Sequence, residues 1–344
     1  MLIKYVPRPE GNTVVVGCGD AAFTRHFSRQ AHVRRFSSTA ALVAAGVRVL
    51  DGVYPRAAAQ HDAVILPLEN GRVLARTMIL RSLLSLRPGG NLWVAGSVRA
   101  GVRTFEDDAA ELGTVDSVYA GSGCRIFKLT RAEAPPVAQP IAQPIAPIHW
   151  AVGMTPVPFD LRNRSYVQYT QPGVFSADHL DEGTKFLLDA LPAVPAFPSA
   201  RVLDACCGAG AIGVVVRAEW PAADVTFADD DLLAVECCRA SAGEHARVVP
   251  ADLTLRQRNL AGVRDFDLIV CNPPFHQGLT EDRSFVPRFV PVAAGLVSPK
   301  RGQLLMVANR FLPYQRDLSA AFATVQVVAE DRKWRVWLAS ETKA

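Results

Sequence analysis

The chain has 344 residues, 49% hydrophobic and 20% charged, which is ordinary globular composition with length for two domains. No apolar run approaches bilayer thickness, and the opening MLIKYVPRPEGN lacks the apolar core of a secretory signal. Neither a membrane span nor a signal peptide is expected, and the expected compartment is the cytoplasm. The formal net charge is +4, but residues 1–130 hold 16 Lys/Arg against 10 Asp/Glu, and most of that basic charge is arginine. Guanidinium forks suit phosphate oxygens, so a basic first half favours a polyanionic partner such as nucleic acid. The plain alternative is a solvated face in an arginine-rich protein. Seven cysteines, two pairs of them adjacent (Cys206-Cys207 and Cys237-Cys238), show neither a disulfide framework nor zinc spacing. They read as small buried hydrophobes, and no metal site is expected.

In chain order, NTVVVGCGDAAFTRHF (Asn12 to Phe27) predicts a strand, a glycine turn and a helix. HDAVILPLENG (His61 to Gly71) is an apolar run entered through aspartate, and LLSLRPGGNLWVAGSVR (Leu83 to Arg99) is a helix end, a Pro/Gly turn and a strand. Residues 132–150 are rich in Pro, Ala and Gln with no helical or strand period, so they predict an extended spacer. Beyond it the same three shapes return in the same order. They are ARVLDACCGAGAIGVVVRAEW (Ala200 to Trp220), FDLIVCNPPFHQG (Phe266 to Gly278) and GLVSPKRGQLLMVANR (Gly295 to Arg310). This predicts a tandem duplication of one α/β unit with a mostly parallel sheet covered on both faces. The copies differ where chemistry would sit: Pro67-Leu68-Glu69-Asn70 stands where the second copy has Asn272-Pro273-Pro274-Phe275, and the later glycines are absent.

In the second copy, Gly208-x-Gly210-x-x-Gly213 follows the first strand, and Asp229 stands about 20 residues further on, as in a dinucleotide fingerprint. A nicotinamide enzyme is therefore one reading. Asp204 speaks against it, because a carboxylate under the turn needs donors or a cation, and the ammonium of S-adenosylmethionine would supply one. Asp229, at the end of ADVTFAD, can accept both hydroxyls of a ribose. Its neighbours Asp230 and Asp231 compete for that assignment, and a helix N-cap is the alternative role. Asp252, at the end of ARVVPAD, can meet an adenine amino group or simply form a turn.

The glycine turn and Asn-Pro-Pro-Phe together make the second half resemble the class I S-adenosylmethionine-dependent methyltransferases. Within these it is similar to the ribosomal RNA small subunit methyltransferase C family. The resemblance covers nearly the whole chain, including GVFSADHLDEGTKFLL (Gly173 to Leu188), VLDACCGAG, DLIVCNPPFHQG, VANRFLPY (Val307 to Tyr314) and, in the first half, GSVRAGVRTFEDDAAELG (Gly96 to Gly113). It implies two tandem Rossmann-like methyltransferase domains with seven-stranded, mostly parallel sheets. These are a degenerate domain at 1–131 that aids folding and RNA recognition, the spacer at 132–150 and a catalytic domain at 151–344. It implies methyl transfer to the exocyclic N2 of a guanine in ribosomal RNA, most simply 16S, with the RNA or the small subunit as partner. Two fused copies can mimic a dimer, so a monomer is expected. It also implies a cofactor site of Thr184, Asp204, Cys206, Gly208, Gly210, Asp229, Asp252 and Asn272, and a catalytic set of Asn272, Pro273, Pro274 and Phe275. Cys206 departs from the family, which commonly has glycine there.

The tetrapeptide suits that chemistry. An aryl amine is a poor nucleophile, and two acceptors beside its hydrogens draw it toward tetrahedral geometry. The Asn272 oxygen is one candidate and the Pro273 carbonyl the other, held by two fixed φ angles. Phe275 offers a ring face for a flipped base. The same pattern serves other planar amino groups, such as a 23S guanine, DNA adenine N6 or protein glutamine. A non-catalytic RNA-binding protein is a further alternative.

Overall fold

The structure is a computed structural model that describes residues 2–55, 59–68, 71–132, 153–194, 199–256, 260–274, 276–277, 280–281, 284–299 and 301–343. Phe275, Glu69, Asn70 and nearly all of the expected spacer lie outside the described residues. The chain divides into two compact units, Met1–Gly153 and Met154–Ala344. No helix among the described residues is long and apolar enough to cross a membrane.

The first unit contains α1 (Leu2–Tyr5), β1 (Thr13–Val16), α2 (Ala21–Phe27), β2 (Gln30–His32), α3 (Thr39–Ala44), β3 (Arg48–Val49), β4 (His61–Pro67), α4 (Arg72–Ser85), β5 (Leu86–Ser97), α5 (Val102–Ala109), β6 (Thr114–Gly121) and β7 (Cys124–Thr130). Its sheet has the order β3-β2-β1-β4-β5-β7-β6. Pairing is parallel as far as β5, and β7 runs antiparallel to both its neighbours.

The second unit contains β8 (Thr155–Leu161), β9 (Arg164–Thr170), α6 (Glu182–Ala190), β10 (Arg201–Ala205), α7 (Ala211–Glu219), β11 (Asp224–Asp229), α8 (Leu232–Ala242), β12 (Arg247–Pro250), β13 (Leu268–Cys271), β14 (His276–Gln277), β15 (Thr280–Glu281), α9 (Phe285–Leu296), β16 (Gln303–Asn309), α10 (Gln315–Ala321), β17 (Phe322–Glu330) and β18 (Trp334–Thr342). Its main sheet, β12-β11-β10-β13-β16-β18-β17, repeats the order of the first sheet strand for strand. The three recurring sequence shapes land on equivalent positions: β1 with β10, β4 with β13, and β5 with β16.

The central strands read as unbroken apolar runs because both faces are covered. Alternate residues separate cleanly. Leu203, Ala205, Ile269, Cys271, Leu304 and Met306 pack against α9 and α10. Val202, Leu268, Val270, Leu305 and Val307 pack against α6 and α7. Asp204 falls in the second set by register, between Val202 and the turn. The Pro/Gly turn expected before β5 is instead a bulge inside it. The pairing jumps from His61 with Leu86 to Ala63 with Asn91, which leaves Arg87 to Gly90 unpaired with β4.

Both units fasten the central strand in the same way. In the first, the Asn12 N–H donates to Asp62 Oδ2 at 2.6 Å and Arg87 Nη1 donates to Oδ1 at 3.0 Å. In the second, the Arg201 N–H donates to Asp267 Oδ2 at 2.9 Å and Arg301 Nε donates to Oδ1 at 2.6 Å. The aspartate that enters each apolar run therefore ties the start of the next strand over to an arginine near the start of the fifth strand, inside β5 for Arg87 and just before β16 for Arg301. The Asp267 side chain is 2% exposed and that of Asp62 35%. Losing the buried one takes the acceptor from the Arg201 N–H and breaks the pairing with Arg301. Asp267→Ala should cost about 2–4 kcal/mol and Asp62→Ala about 1, read as shifts in urea unfolding midpoint. Equal shifts would contradict this account of the anchor.

Candidate active site

Asp204 is next to last in β10 and fully buried. Its Oδ2 accepts the Gly213 N–H from the first turn of α7 at 2.8 Å. Its Oδ1 is equally buried and has no hydrogen-bond partner among the described residues. Burial pushes the Asp204 pKa up to about 7, against the pull of the Gly213 hydrogen bond and with help from the nearby Asp229 charge. The equivalent position of the first unit has no such group. Val15 pairs with Ile65 as Asp204 pairs with Val270, and both partners stand three residues after the anchoring aspartate. An isolated sheet of this topology is therefore satisfied by a valine, and the carboxylate is an addition that the fold does not need.

The three glycines of the turn have different jobs. A Cβ on Gly213 would collide with the ring of Phe227, so this glycine lets α7 lie against β11. Gly210 caps α7 at φ +91°, and a Cβ there would lie 2.9 Å from Cys238 Sγ. Gly208, at φ +53°, would meet nothing within 4 Å, so its side of the turn faces open space. Cys206 is also left-handed, with φ +58°, at a position that glycine occupies more cheaply. A hydrogen bond with Cys271, and burial, push its thiol well above the ordinary range. All seven cysteines are free thiols.

Beside this turn, Asp229 ends β11. Its Oδ2 accepts the Gly208 N–H at 2.9 Å and its Oδ1 the Asp231 N–H at 2.8 Å. It thus holds the turn in place at the carboxyl edge of the sheet. The aspartate triplet divides its labour, because Asp231 is the N-cap of α8 and accepts the Leu233 N–H at 3.0 Å. Asp252 lies two residues beyond β12, where its Oδ1 accepts the N–H and hydroxyl of Thr254. That is an Asx turn, the alternative weighed for it. The Ala251 N–H donates to the Asp229 carbonyl at 2.9 Å, so Asp204, Asp229 and Asp252 follow one another across the carboxyl ends of β10, β11 and β12.

One strand further along, β13 stops at Cys271 and Asn272 follows, half-buried. Its Nδ2 donates to Asp181 Oδ2 at 2.9 Å and to Thr184 Oγ1 at 2.9 Å. A carboxylate can only accept, so the amide nitrogen must face Asp181 and the amide oxygen must face the other way. Asp181 is the N-cap of α6, and the same Oδ2 also accepts the Thr184 N–H at 2.8 Å. The start of α6 is fastened in turn to the hairpin of β17 and β18. Lys333 pairs with Glu182, and a Cβ on Gly183 would lie 3.1 Å from Trp334 Cη2. Pro273 is buried and Pro274 exposed. Asp181 is the residue that sequence reasoning passed over. Only its role as a helix cap had a local signal, an aspartate just before the helical run EGTKFLLDA; nothing local tied it to Asn272. Thr184, expected beside the cofactor, accepts from Asn272 through its Oγ1.

The family model for the methyltransferase small domain matches residues 166–338. The chain is 32% identical to the ribosomal RNA small subunit methyltransferase C of Hahella chejuensis over 81% of this chain and 77% of that one. It is 38% identical to the protein of the same name from Hamiltonella defensa over 76% of this chain and 72% of that one. Among solved structures it is similar to the T. thermophilus 16S rRNA N2 G1207 methyltransferase in complex with AdoMet and guanosine. The TM-score is 0.81 at 24% identity, with 99% of this chain and 91% of that one covered. That likeness establishes a shared two-unit fold. Both the domain match and the full-length relatives carry the same conclusion, that the chain belongs to the ribosomal RNA small subunit methyltransferase C family.

Proposed function

We propose that the chain methylates the exocyclic N2 amino group of a guanine in 16S ribosomal RNA, using S-adenosylmethionine. The observation that carries the reading is the Asn272 amide, whose nitrogen is engaged by Asp181 and Thr184 so that its oxygen is left as an acceptor next to Pro273. That is the polarity an amino group with two hydrogens requires.

The residues present suit the cofactor. Asp204 Oδ1 is a buried carboxylate oxygen without a donor among the described residues, and a Cβ on Gly208 would meet nothing within 4 Å. Asp204, Gly208 and Gly210 would hold the methionine end, Asp229 the ribose and Asp252 the adenine. When bound, S-adenosylmethionine supplies an electrophilic methyl on a sulfonium. The Asn272 oxygen and the Pro273 carbonyl hold the two hydrogens of the amine and aim its lone pair, and Phe275 stacks on the base. The amine needs no strong base before transfer, because the alkylated nitrogen becomes acidic and sheds its proton afterwards. The first unit keeps the sheet but has valine in place of Asp204. It serves folding and RNA contact through its basic surface, and the chain works as a cytoplasmic monomer.

Labelled cofactor, incubated with separated 16S RNA, 23S RNA, DNA and protein, tests the reading. Label should enter 16S RNA as N2-methylguanine, and label confined to another fraction would overturn the assignment. Asn272→Ala should lower the rate by about 100-fold or more, since it removes one of two positioning acceptors.

Asp204 gives a pH test that needs no substrate. It titrates near pH 7 when folded and near the ordinary carboxylate value when unfolded. Between those values the folded state holds the extra proton, so stability falls as pH rises, by roughly 4 kcal/mol across the window. Asp204→Asn should therefore match wild type in cofactor-free thermal midpoint near pH 4 and gain on it progressively up to about pH 8. A constant gap would contradict the buried titration. A cationic ligand favours the ionised form, so wild-type affinity for S-adenosylmethionine should rise as pH passes 7.

A further inference from the structure

We infer that Asp181 is the positioning residue that sets the polarity of Asn272; this rests on the reading of Asn272 as an acceptor. An amide is nearly symmetric in shape, so packing alone holds it in either of two flips. Asp181 Oδ2 breaks the tie, because it already accepts the Thr184 N–H and can only accept again from Asn272. Thr184 Oγ1 is compatible with either end of an amide and cannot decide alone. The helix cap of α6 and the orientation of Asn272 are thus one hydrogen-bond centre. The ion pair of Glu182 with Lys333 and the packing of Gly183 under Trp334 hold that centre against the sheet.

The centre needs an oxygen, not a charge. Asp181→Asn can place its amide oxygen on the Thr184 N–H and still accept from Asn272, so it should keep kcat within a few-fold. Asp181→Ser keeps a good helix cap but its shorter hydroxyl cannot also reach Asn272. It should lower kcat on 16S RNA about tenfold or more, with thermal midpoint and cofactor affinity close to wild type. In an Asn272→Asp background the carboxylate at 272 has two equivalent oxygens and no flip to set, and it faces a like charge at 181. There Asp181→Ser should leave kcat unchanged or raise it. The same loss in both backgrounds would mean that Asp181 is only a helix cap and would overturn the inference. A second readout is independent of substrate: with asparagine-selective 15N labelling, the Asn272 side-chain amide protons should exchange slowly in wild type and much faster in Asp181→Ser. Equal exchange overturns the inference even if the wild type proves to methylate something other than RNA.

A different observation carries a second inference. Phe311 is 81% exposed, yet the backbone around it is pinned. Its N–H donates to Asn309 Oδ1 at 3.1 Å, the Leu312 N–H to the Asn309 carbonyl at 3.0 Å, and the Arg310 N–H to the Lys333 carbonyl at 2.9 Å. Leu312 and Tyr314 are buried in the core on its far side. An aromatic ring presented to water from a hydrogen-bonded loop offers its face for stacking. The loop leaves the carboxyl end of β16, the strand paired with β13, and so lies at the same edge as Asn272. We propose that Phe311 is a stacking platform for an unpaired RNA base next to the target, which loses its stacking neighbour when the guanine is extruded.

Binding of a single-stranded RNA oligonucleotide, followed by fluorescence anisotropy, tests this without any turnover. Phe311→Ala should weaken binding about tenfold, Phe311→Trp should hold or strengthen it, and Phe311→Leu should stay weak. Full recovery by leucine, or no loss with alanine, would overturn the platform. At 81% exposure none of these changes threatens folding.

Discussion

The arrangement turns on a hydrogen-bond polarity. Asn272 can help an amino group only through its oxygen, and an asparagine side chain does not by itself know which end to present. The carboxylate of Asp181 settles the matter by accepting from both the Thr184 N–H and the Asn272 Nδ2. The surrounding construction serves to keep Asp181 and Asn272 in register. The paired parallel strands deliver Asn272 to the carboxyl edge, where ligands of open α/β sheets bind. The α6 cap delivers Asp181, and the β17–β18 hairpin braces the cap through Lys333 and Trp334.

The duplicated fold supplies an internal control. The two units share strand order, and both anchor the central strand through an aspartate and an arginine, Asp62 with Arg87 and Asp267 with Arg301. Those features belong to the fold. Val15 against Asp204, and Pro67 against Asn272, are where the units part. Those features belong to chemistry, because the first unit folds without them. The raised pKa of Asp204 fits the same division. A buried carboxyl that holds its proton near neutrality costs stability when ionised, and a fold has no use for that cost unless a donor or a cation comes to meet it.

Much of this was legible in the sequence. The repeat was visible because each half carries a strand, a glycine turn and a helix, and then an apolar run entered through aspartate. Strand number and the mostly parallel pairing followed from the family that the joined motifs resemble, while the strand order came only with the structure. Asp204 stood out because it interrupts an apolar strand just before its turn. The glycines were harder: their spacing matches a dinucleotide fingerprint, and only three-dimensional packing separates Gly213, pressed on Phe227, from Gly208, which faces open space. The aspartate triplet was unreadable without register, since N-cap and ribose roles ask for the same residue type one or two positions apart. Asp181 was missed because it lies 91 residues from Asn272, and no local pattern announces a partner across that distance. The bulge in β5 was read as a turn because Arg-Pro-Gly-Gly is turn chemistry wherever it stands.

The central claim is that Asn272 presents its oxygen to the target amine. A high-resolution structure of the chain with S-adenosylhomocysteine and a guanine nucleoside tests it most directly. The account predicts the guanine N2 within hydrogen-bond distance of Asn272 Oδ1 and the Pro273 carbonyl, with Asn272 Nδ2 still on Asp181. A base whose N2 lies elsewhere, or an Asn272 turned with its nitrogen toward the base, would contradict it.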